Sequence, residues 1–337
     1  MIWLRLRLAK RRSFQSDIWV YGRRRYKVPN LKELMQQESF FSPGHRMCAG
    51  CIAPVAVRQV ALAVGGAPVV VANATGCLEV ATTIFPYTAW RCGFIHNAFA
   101  NAAATLSGVE TAYRALKKQD KLDSEIKFIA FGGDGGTYDI GFQSLSGAVE
   151  RGHRMLYICY DNGAYMNTGI QRSSATPLYA DTTTSPAGRH SSGKSQWRKD
   201  LTAIMAAHNI PYAAQAAPSH FMDLMAKVQR ALSVDGPSFI NIMAPCPRGW
   251  RYDTRAGISL TRQAVETCYW PLYEVDHGSW KLSYRPRQKQ PIEDWLRSQG
   301  RFRHLFVAGG EEEIKQLQER VDLEWARLLK KCGEAAA

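Results

Sequence analysis

Three observations predict an α/β fold for this 337-residue chain: a three-layer, open, mostly parallel sheet with irregular N- and C-terminal extensions. Short apolar segments alternate with amphipathic ones along most of the sequence, a glycine cluster at 132–136 follows one apolar segment directly, and no apolar run approaches the length of a membrane span. The longest runs, such as Ala67–Ala74 and Met155–Tyr160, suit buried strands. With 46% hydrophobic and 21% charged residues, the composition is that of a folded chain able to bury a large core.

The elements follow in order. Pro43-Gly44-His45 breaks the chain before Cys48, and Val55, Val57, Val60, Ala61 and Val64 fit a helix that Gly65-Gly66 stops. Pro68–Ala72 reads as a buried strand, Asn97–Leu116 as an Ala-rich helix, and Lys127–Phe131 as a strand ending in the glycine cluster. A helix over Ile140–Arg151 and a strand over Met155–Tyr160 complete the next unit. Residues 181–200, rich in Thr, Ser, Gly and basic side chains, read as a long functional loop. Leu201–His208 (helix), Tyr212–Ala216 (strand), Phe221–Leu232 (helix) and Phe239–Met243 (strand) close the alternation. Beyond Tyr252 the chain is more polar and aromatic and ends in an amphipathic helix over Glu311–Lys331. The expected division is a basic extension at 1–27, an α/β cofactor domain at 28–252, and an extension at 253–337 that packs on the core or on a partner.

The net charge of +14 invites a nucleic-acid reading, but its distribution opposes one. Residues 1–27 hold nine Lys or Arg against one Asp, so +8 sits there and only +6 is left for the other 310 residues. A basic nucleic-acid module would bind DNA in a salt-dependent way even without residues 1–27. Lys10-Arg11-Arg12-Ser13-Phe14 superficially suggests an export signal, yet Gln15-Ser16-Asp17 stands where an apolar stretch should begin, so a cytoplasmic location is expected.

The glycine cluster carries the chemistry. In an open parallel sheet, ligands bind at the carboxyl ends of strands. Asp134 sits at such an end, and Gly133, Gly135 and Gly136 let a bulky anion approach the backbone, with the helix near Ile140 aiming its amino end there. One helix and one strand later, Asp161-Asn162 ends the neighbouring strand, placing Asn162 beside Asp134. A carboxylate and an amide oxygen are hard ligands suited to Mg²⁺ with diphosphate oxygens, and the carbonyl of Ala164 can supply a further ligand.

Gly133–Asn162 resembles the signature of thiamine diphosphate enzymes. Residues 133–177, GDGGTYDIGFQSLSGAVERGHRMLYICYDNGAYMNTGIQRSSATP, resemble more narrowly the β subunits of pyruvate:ferredoxin oxidoreductase and related 2-oxoacid oxidoreductases. The likeness extends to GHRMCAGC (44–51), TGCLE (75–79), PYT (86–88), HNAFANAAATLSG (96–108) and PCPRGW (245–250), and covers roughly 28–300. It implies a diphosphate-domain fold in which Asp134, Asn162 and the Ala164 carbonyl hold Mg²⁺ against the cofactor. It also implies that Asn167 stands beside the reactive ring as the catalytic residue. The cofactor-binding candidates are Gly76, His96, Gly133, Asp134, Gly135, Gly136, Asn162, Tyr165, Asn167 and Thr168.

The cysteines form a second constellation. Cys48-x-x-Cys51 alone is shared by zinc knuckles and redox motifs, but no second close pair follows it. Cys77 and Cys246 each follow a strand and face the same edge as Asp134. Four converging thiolates suit a [4Fe–4S] cluster, with structural zinc or no metal as the alternatives. The resemblance implies the same four ligands. Cys159 reads as core packing, and Cys92, Cys268 and Cys332 have no partner spacing.

What the resemblance implies is oxidative decarboxylation of a 2-oxoacid, pyruvate by default, with coenzyme A, electrons leaving through the cluster to ferredoxin. The chain lacks the pyrimidine-binding domain such enzymes need, so an α partner is implied, with small γ and ferredoxin-like δ partners. Another 2-oxoacid (phenylglyoxylate, oxalate or a branched-chain acid), with NAD as a final acceptor, is the rival within the class; a non-redox thiamine lyase or decarboxylase is the rival outside it. Arg172 can meet a carboxylate or coenzyme phosphate, and Arg189, Lys194, Arg198 and Lys199 are candidate contacts for coenzyme A.

Overall fold

The computed structural model describes residues 19–21, 24–26, 31–307 and 309–334. Most of the basic 1–27 extension, and with it the export-signal lookalike, lies outside the described residues. The central sheet has eight strands: β1 (Val69–Ala74), β2 (Gly93–Asn97), β3 (Lys127–Gly133), β4 (Leu156–Asp161), β5 (Tyr212–Ala216), β6 (Ser238–Met243), β7 (Tyr273–Asp276) and β8 (Ser279–Leu282). Their spatial order is β8-β7-β5-β6-β4-β3-β1-β2, with β5, β6, β4, β3, β1 and β2 all parallel. The β7–β8 hairpin adds antiparallel to β5.

Buried strands of this kind need helices on both faces. On one face lie α1 (Ala53–Val64) and α5 (Phe221–Ser233), whose Val57, Val60, Leu224 and Val228 pack on Val71, Phe131, Ile158 and Ile240. On the other lie α2 (Ala102–Lys118), α3 (Phe142–Glu150) and α4 (Leu201–Ala206), whose Leu106, Leu145 and Met205 cover Ala72, Ala130, Tyr157 and Phe239. A third apolar cluster joins α6 (Gly257–Glu266), α7 (Ile292–Arg297) and α8 (Glu311–Lys331) around Trp250, Trp270 and Trp295. Helix α8 has three Glu in its first turn and two Lys in its last, which complements the helix dipole, and buries Leu317, Val321, Leu328 and Leu329.

Two elements differ from the sequence-based expectation. The helix expected over Asn97–Leu116 starts only at Ala102 and runs to Lys118, and Asn97 instead ends an edge strand over Gly93–Asn97. An edge strand with one partner and mostly half-exposed side chains has no continuous apolar run to reveal it. The helix expected from Ile140 starts earlier, as a π-helical turn over Gly135–Ile140, because Gly135 and Gly136 let the backbone coil immediately after Asp134. The β7–β8 hairpin was not anticipated either.

Lys227 of α5 ties this hairpin region to the core. It is fully buried and donates to the Gln215 carbonyl (2.8 Å), Asp223 Oδ2 (2.7 Å) and Ser283 Oγ (2.8 Å). Lys227→Met leaves Asp223 buried and unpaired and is expected to cost about 3–5 kcal/mol in urea unfolding of the full chain. Breaking the exposed Arg255–Asp253 pair by Arg255→Ala is expected to leave the unfolding midpoint where it is.

Candidate cofactor site

The strand order reverses between β1 and β3, since β2 lies to one side of β1 and β3 to the other. At such a switch point the loops leaving the strand ends diverge and open a crevice. The crevice here is lined by Thr75, Gly76 and Cys77 after β1, Gly133–Gly136 after β3, and Asn162–Thr168 after β4. Register pairs Gly133 with Tyr160, so the next residues of β3 and β4 emerge together at the rim.

Asp134 and Asn162 meet there. Asp134 is 1% exposed; its Oδ1 accepts the Asn162 backbone N–H at 3.2 Å and its Oδ2 accepts the Ser173 hydroxyl at 2.5 Å. One terminal atom of the Asn162 amide lies 2.9 Å from Asp134 Oδ1 and 2.8 Å from the Ala164 carbonyl oxygen, and as NH₂ it donates to both. With the amide oxygen turned inward instead, as a cation there requires, three acceptors face one another. Edges of this length are those of an oxygen octahedron around an ion bonded at about 2.1 Å, so the donor set fits Mg²⁺. Burial, and next the nearby Asp161 carboxylate, push the Asp134 carboxyl well above the usual range; a bound cation acts in the opposite sense. Asp161 itself accepts from Tyr138 Oη (2.7 Å), Arg198 Nη2 (2.6 Å) and the Gly163 N–H (3.1 Å).

The glycines form a cradle that larger residues would fill. A Cβ on Gly135 would stand 2.4 Å from the Tyr165 ring, and one on Gly76 2.6 Å from Tyr160 Oη. One on Gly133 would touch the Tyr160 ring at 3.3 Å, and one on Gly136 the Phe99 carbonyl at 3.2 Å. Tyr165 Oη donates to the Gly135 carbonyl at 2.8 Å, closing the cradle from above. Asn167 and Thr168 are exposed on the lip; Thr168 Oγ1 donates to Gln171 Oε1 at 2.5 Å, and the Asn167 side chain meets the Cys77 sulfur. His96 stays one step outside the crevice, its Nε2 at 2.9 Å from Thr75 Oγ1 and 3.4 Å from Glu79 Oε2.

Four cysteines converge beside this cradle. The Cys51 N–H donates to the Cys48 carbonyl at 3.1 Å, closing a tight turn in which Gly50 has φ +78°. That turn is tied to the Cys246 loop: Ile52 N–H donates to the Pro245 carbonyl (3.2 Å), and Tyr252 Oη contacts the carbonyls of Gly50 (2.8 Å) and Pro245 (3.1 Å). Cys77 opens the single helical turn Cys77–Val80 at the crevice, and Cys246 Sγ accepts the Gly249 N–H at 3.4 Å. Burial first, then the mutual proximity of these sulfurs, pushes the Cys51 thiol up to about 12 and Cys77 to about 11. All four are free thiols. Among the described residues no three His, Cys, Asp or Glu side chains are placed to hold a metal ion. The mutual influence of the four thiols puts them near one another, and an iron–sulfur cube takes four such thiolates at its separate corners. Cys159 is buried in β4, Cys268 is buried, and Cys92 and Cys332 are half-buried; none joins the four.

The basic loop needs correction. Lys194 and Arg198 were expected to reach an external ligand, but both are structural. Lys194 is 1% exposed and donates to the Thr176 carbonyl at 2.6 Å. Arg198, its side chain 10% exposed, is packed against Asp161, Tyr138 and the Trp270 ring. Arg172, Arg189 and Lys199 remain exposed. Ser173, Phe99 and Tyr252 were missed: Ser173 sits within the quoted QRSSATP run, and nothing in its local pattern separates it from Ser174.

These features define a thiamine-pyrophosphate-type binding domain, and residues 74–242 match the family described as thiamine pyrophosphate enzyme, C-terminal TPP binding domain. The chain is 53% identical to pyruvate synthase subunit PorB of Thermotoga maritima, over 89% of this chain and 95% of the relative. It is 53% identical to PorB of Methanocaldococcus jannaschii, over 85% and 95%. The chain belongs to this family of oxidoreductase subunits. A solved 2-oxoglutarate:ferredoxin oxidoreductase from Magnetococcus marinus shares the fold at a TM-score of 0.51 and 20% identity, covering 66% of this chain and 79% of that one.

Gly135→Ala is expected to destabilise the full chain by about 1–3 kcal/mol in urea unfolding by driving Tyr165 outward. In a Tyr165→Ala background the same substitution is expected to cost less than half as much; equal costs would show that the ring is not what confines Gly135.

Proposed function

We propose that this chain is the cofactor-binding β subunit of a 2-oxoacid:ferredoxin oxidoreductase, converting pyruvate and coenzyme A to acetyl-CoA and CO₂. The observation that supports the reading is adjacency: Asp134, Asn162, Ala164 and Cys77 line one crevice, the Asn167 side chain meets the Cys77 sulfur, and Cys48, Cys51 and Cys246 lie near enough to bear on one another and on Cys77.

In this reading Asp134, Asn162 and the Ala164 carbonyl hold Mg²⁺ against a diphosphate laid in the glycine cradle. Thiamine diphosphate, when bound, supplies the nucleophilic carbon and the electron sink for decarboxylation. Ser173 keeps Asp134 turned toward the cation, and Tyr165 covers the cradle against water. Asn167 orients the substrate from the lip. Cys48, Cys51, Cys77 and Cys246 hold a [4Fe–4S] cluster that supplies a one-electron path toward ferredoxin, the Gly249 N–H helping to stabilise charge on Cys246. Phe85 (93% exposed) and Tyr87 (72% exposed), in the segment that runs from Cys77 to β2, leave apolar surface in water, which supports an α subunit that covers it and brings the pyrimidine-binding domain. Small γ and ferredoxin-like δ subunits complete the proposed assembly, in the cytoplasm. Among the described residues no helix is long and apolar enough to cross a membrane.

One observation favours a second substrate. The chain is also 43% identical, over 87% of its length, to ketoisovalerate oxidoreductase subunit VorB of Pyrococcus horikoshii, so a branched-chain 2-oxoacid is the rival. A panel of 2-oxoacids with viologen dye and coenzyme A, run on the complex copurified from its host, separates the two: pyruvate turnover well above that of ketoisovalerate is expected.

Asp134→Ala is expected to weaken retention of Mg²⁺ and thiamine diphosphate beyond the ~10–100-fold that losing an outer-shell partner costs, while the iron absorbance stays. Unchanged cofactor affinity would refute the cation assignment. Cys246→Ala is expected to bleach the iron–sulfur absorbance, and an unaltered spectrum would remove Cys246 from the ligand set.

A further inference from the structure

Arg301 is the most anomalous charged residue in the molecule. It is 2% exposed, and its guanidinium lies 3.8 Å from the Trp250 ring centroid and 5.1 Å from that of Phe302. Its Nε donates to Gln299 Oε1 at 2.9 Å, but Nη1 and Nη2 have no hydrogen-bond partner among the described residues. No carboxylate forms an ion pair with it there either: Asp161 is engaged by Arg198, Asp181 by Arg251, and Asp134 by Ser173. A guanidinium buried without a counterion is among the costlier arrangements a protein can hold, and an apolar side chain would fill the same stack against Trp250 without that cost.

Its position suggests what offsets the cost. Arg301 is wedged between the loop of Asn162, Gly163 and Ala164 and the turn that follows Cys246. Nη1 stands 3.0 Å from where a Cβ on Gly163 would be. Trp250, on which the guanidinium stacks, donates from Nε1 to the Asn162 carbonyl at 2.6 Å and from its backbone N–H to the Cys246 carbonyl at 2.9 Å. Burial pulls the guanidinium down to about 9, leaving it charged at neutral pH, and Tyr269, Asp161, Cys246 and Asp134 are the groups that bear on it. Cys246 feels Arg301 in return.

We propose that Arg301 is a positioning residue for the redox centre: a fixed positive charge behind Cys246 that stabilises the reduced cluster held by Cys48, Cys51, Cys77 and Cys246. The inference rests on the proposed cluster. Four thiolates give the cluster a net negative charge, and an added electron deepens it, so a nearby cation in a water-free interior favours the reduced form.

The test is a potentiometric titration, followed by electron paramagnetic resonance, of the anaerobically purified full chain carrying Arg301→Lys, Arg301→Met or Arg301→Gln, with iron content measured in each. For the two neutral variants the expected result is at least a tenfold loss of reduced cluster at a fixed potential, equivalent to ~59 mV for one electron. Arg301→Lys is expected to stay within threefold of the unsubstituted chain. Neutral variants that lose iron while Arg301→Lys keeps it would support the same requirement for charge. Neutral variants with full iron and an unshifted potential, or loss of iron from all three, would overturn the proposal and leave Arg301 a packing residue. Absence of iron from the unsubstituted chain would instead overturn the cluster itself.

Discussion

The common direction of six strands is the constraint on which the rest of this structure depends. Parallel strands deliver all their carboxyl ends to one edge, and the residues on which the site turns leave their strands within three positions of that end: Thr75–Cys77 after β1, Asp134 after β3, Asn162 and Ala164 after β4, and Cys246 after β6. The register between β3 and β4 is the critical pairing. A slip of one residue would turn every side chain of β4 to the opposite face and carry Asn162 away from Asp134. The apolar faces of these strands, buried on both sides, hold that register.

Concentrating acceptors and thiols at one edge sets an electrostatic problem that the fold solves with largely buried cations. Asp161 lies next to Asp134, and its charge is held away from the crevice by Arg198, which is itself stacked on Trp270 and bonded to Tyr138. Arg301 stands on the other side, behind Cys246. These two arginines come from segments outside the strand–helix alternation, one from the 181–200 loop and one from the region beyond 253. The C-terminal segment is therefore continuous with the site: its Arg301 stacks on Trp250, which together with Tyr252 braces the loops that carry the cofactor candidates.

The parts of the site that sequence reasoning found are those written in local pattern. Asp134 is flanked by glycines directly after an apolar strand, Asn162 ends the next one, and Cys48 and Cys51 share one turn. Cys77 and Cys246 could be placed because each follows a strand, and parallel strands share an edge. The parts it missed depend on contacts far apart in the chain. Ser173 reaches Asp134 across 39 residues, and Tyr252 reaches Gly50 across 202. Lys194 and Arg198 read as solvent-facing because basic, polar loops usually are; only the tertiary structure reveals that each is packed against carbonyls or a carboxylate. The β2 edge strand and β8 escaped because a strand with an exposed face lacks the apolar run that marks β1, β4 and β6; β7 is mostly buried, but its four residues, Tyr273-Glu274-Val275-Asp276, include two carboxylates.

The central claim is that a cation-pinned cofactor and a metal cluster share this single rim. Anomalous diffraction from anaerobic crystals of the chain, grown with thiamine diphosphate and with Mn²⁺ replacing Mg²⁺, tests it most directly. The account predicts iron density enclosed by the sulfurs of Cys48, Cys51, Cys77 and Cys246, and a manganese peak bonded to Asp134, Asn162 and the Ala164 carbonyl. Zinc or no metal among the four sulfurs, or manganese bound elsewhere, would contradict it.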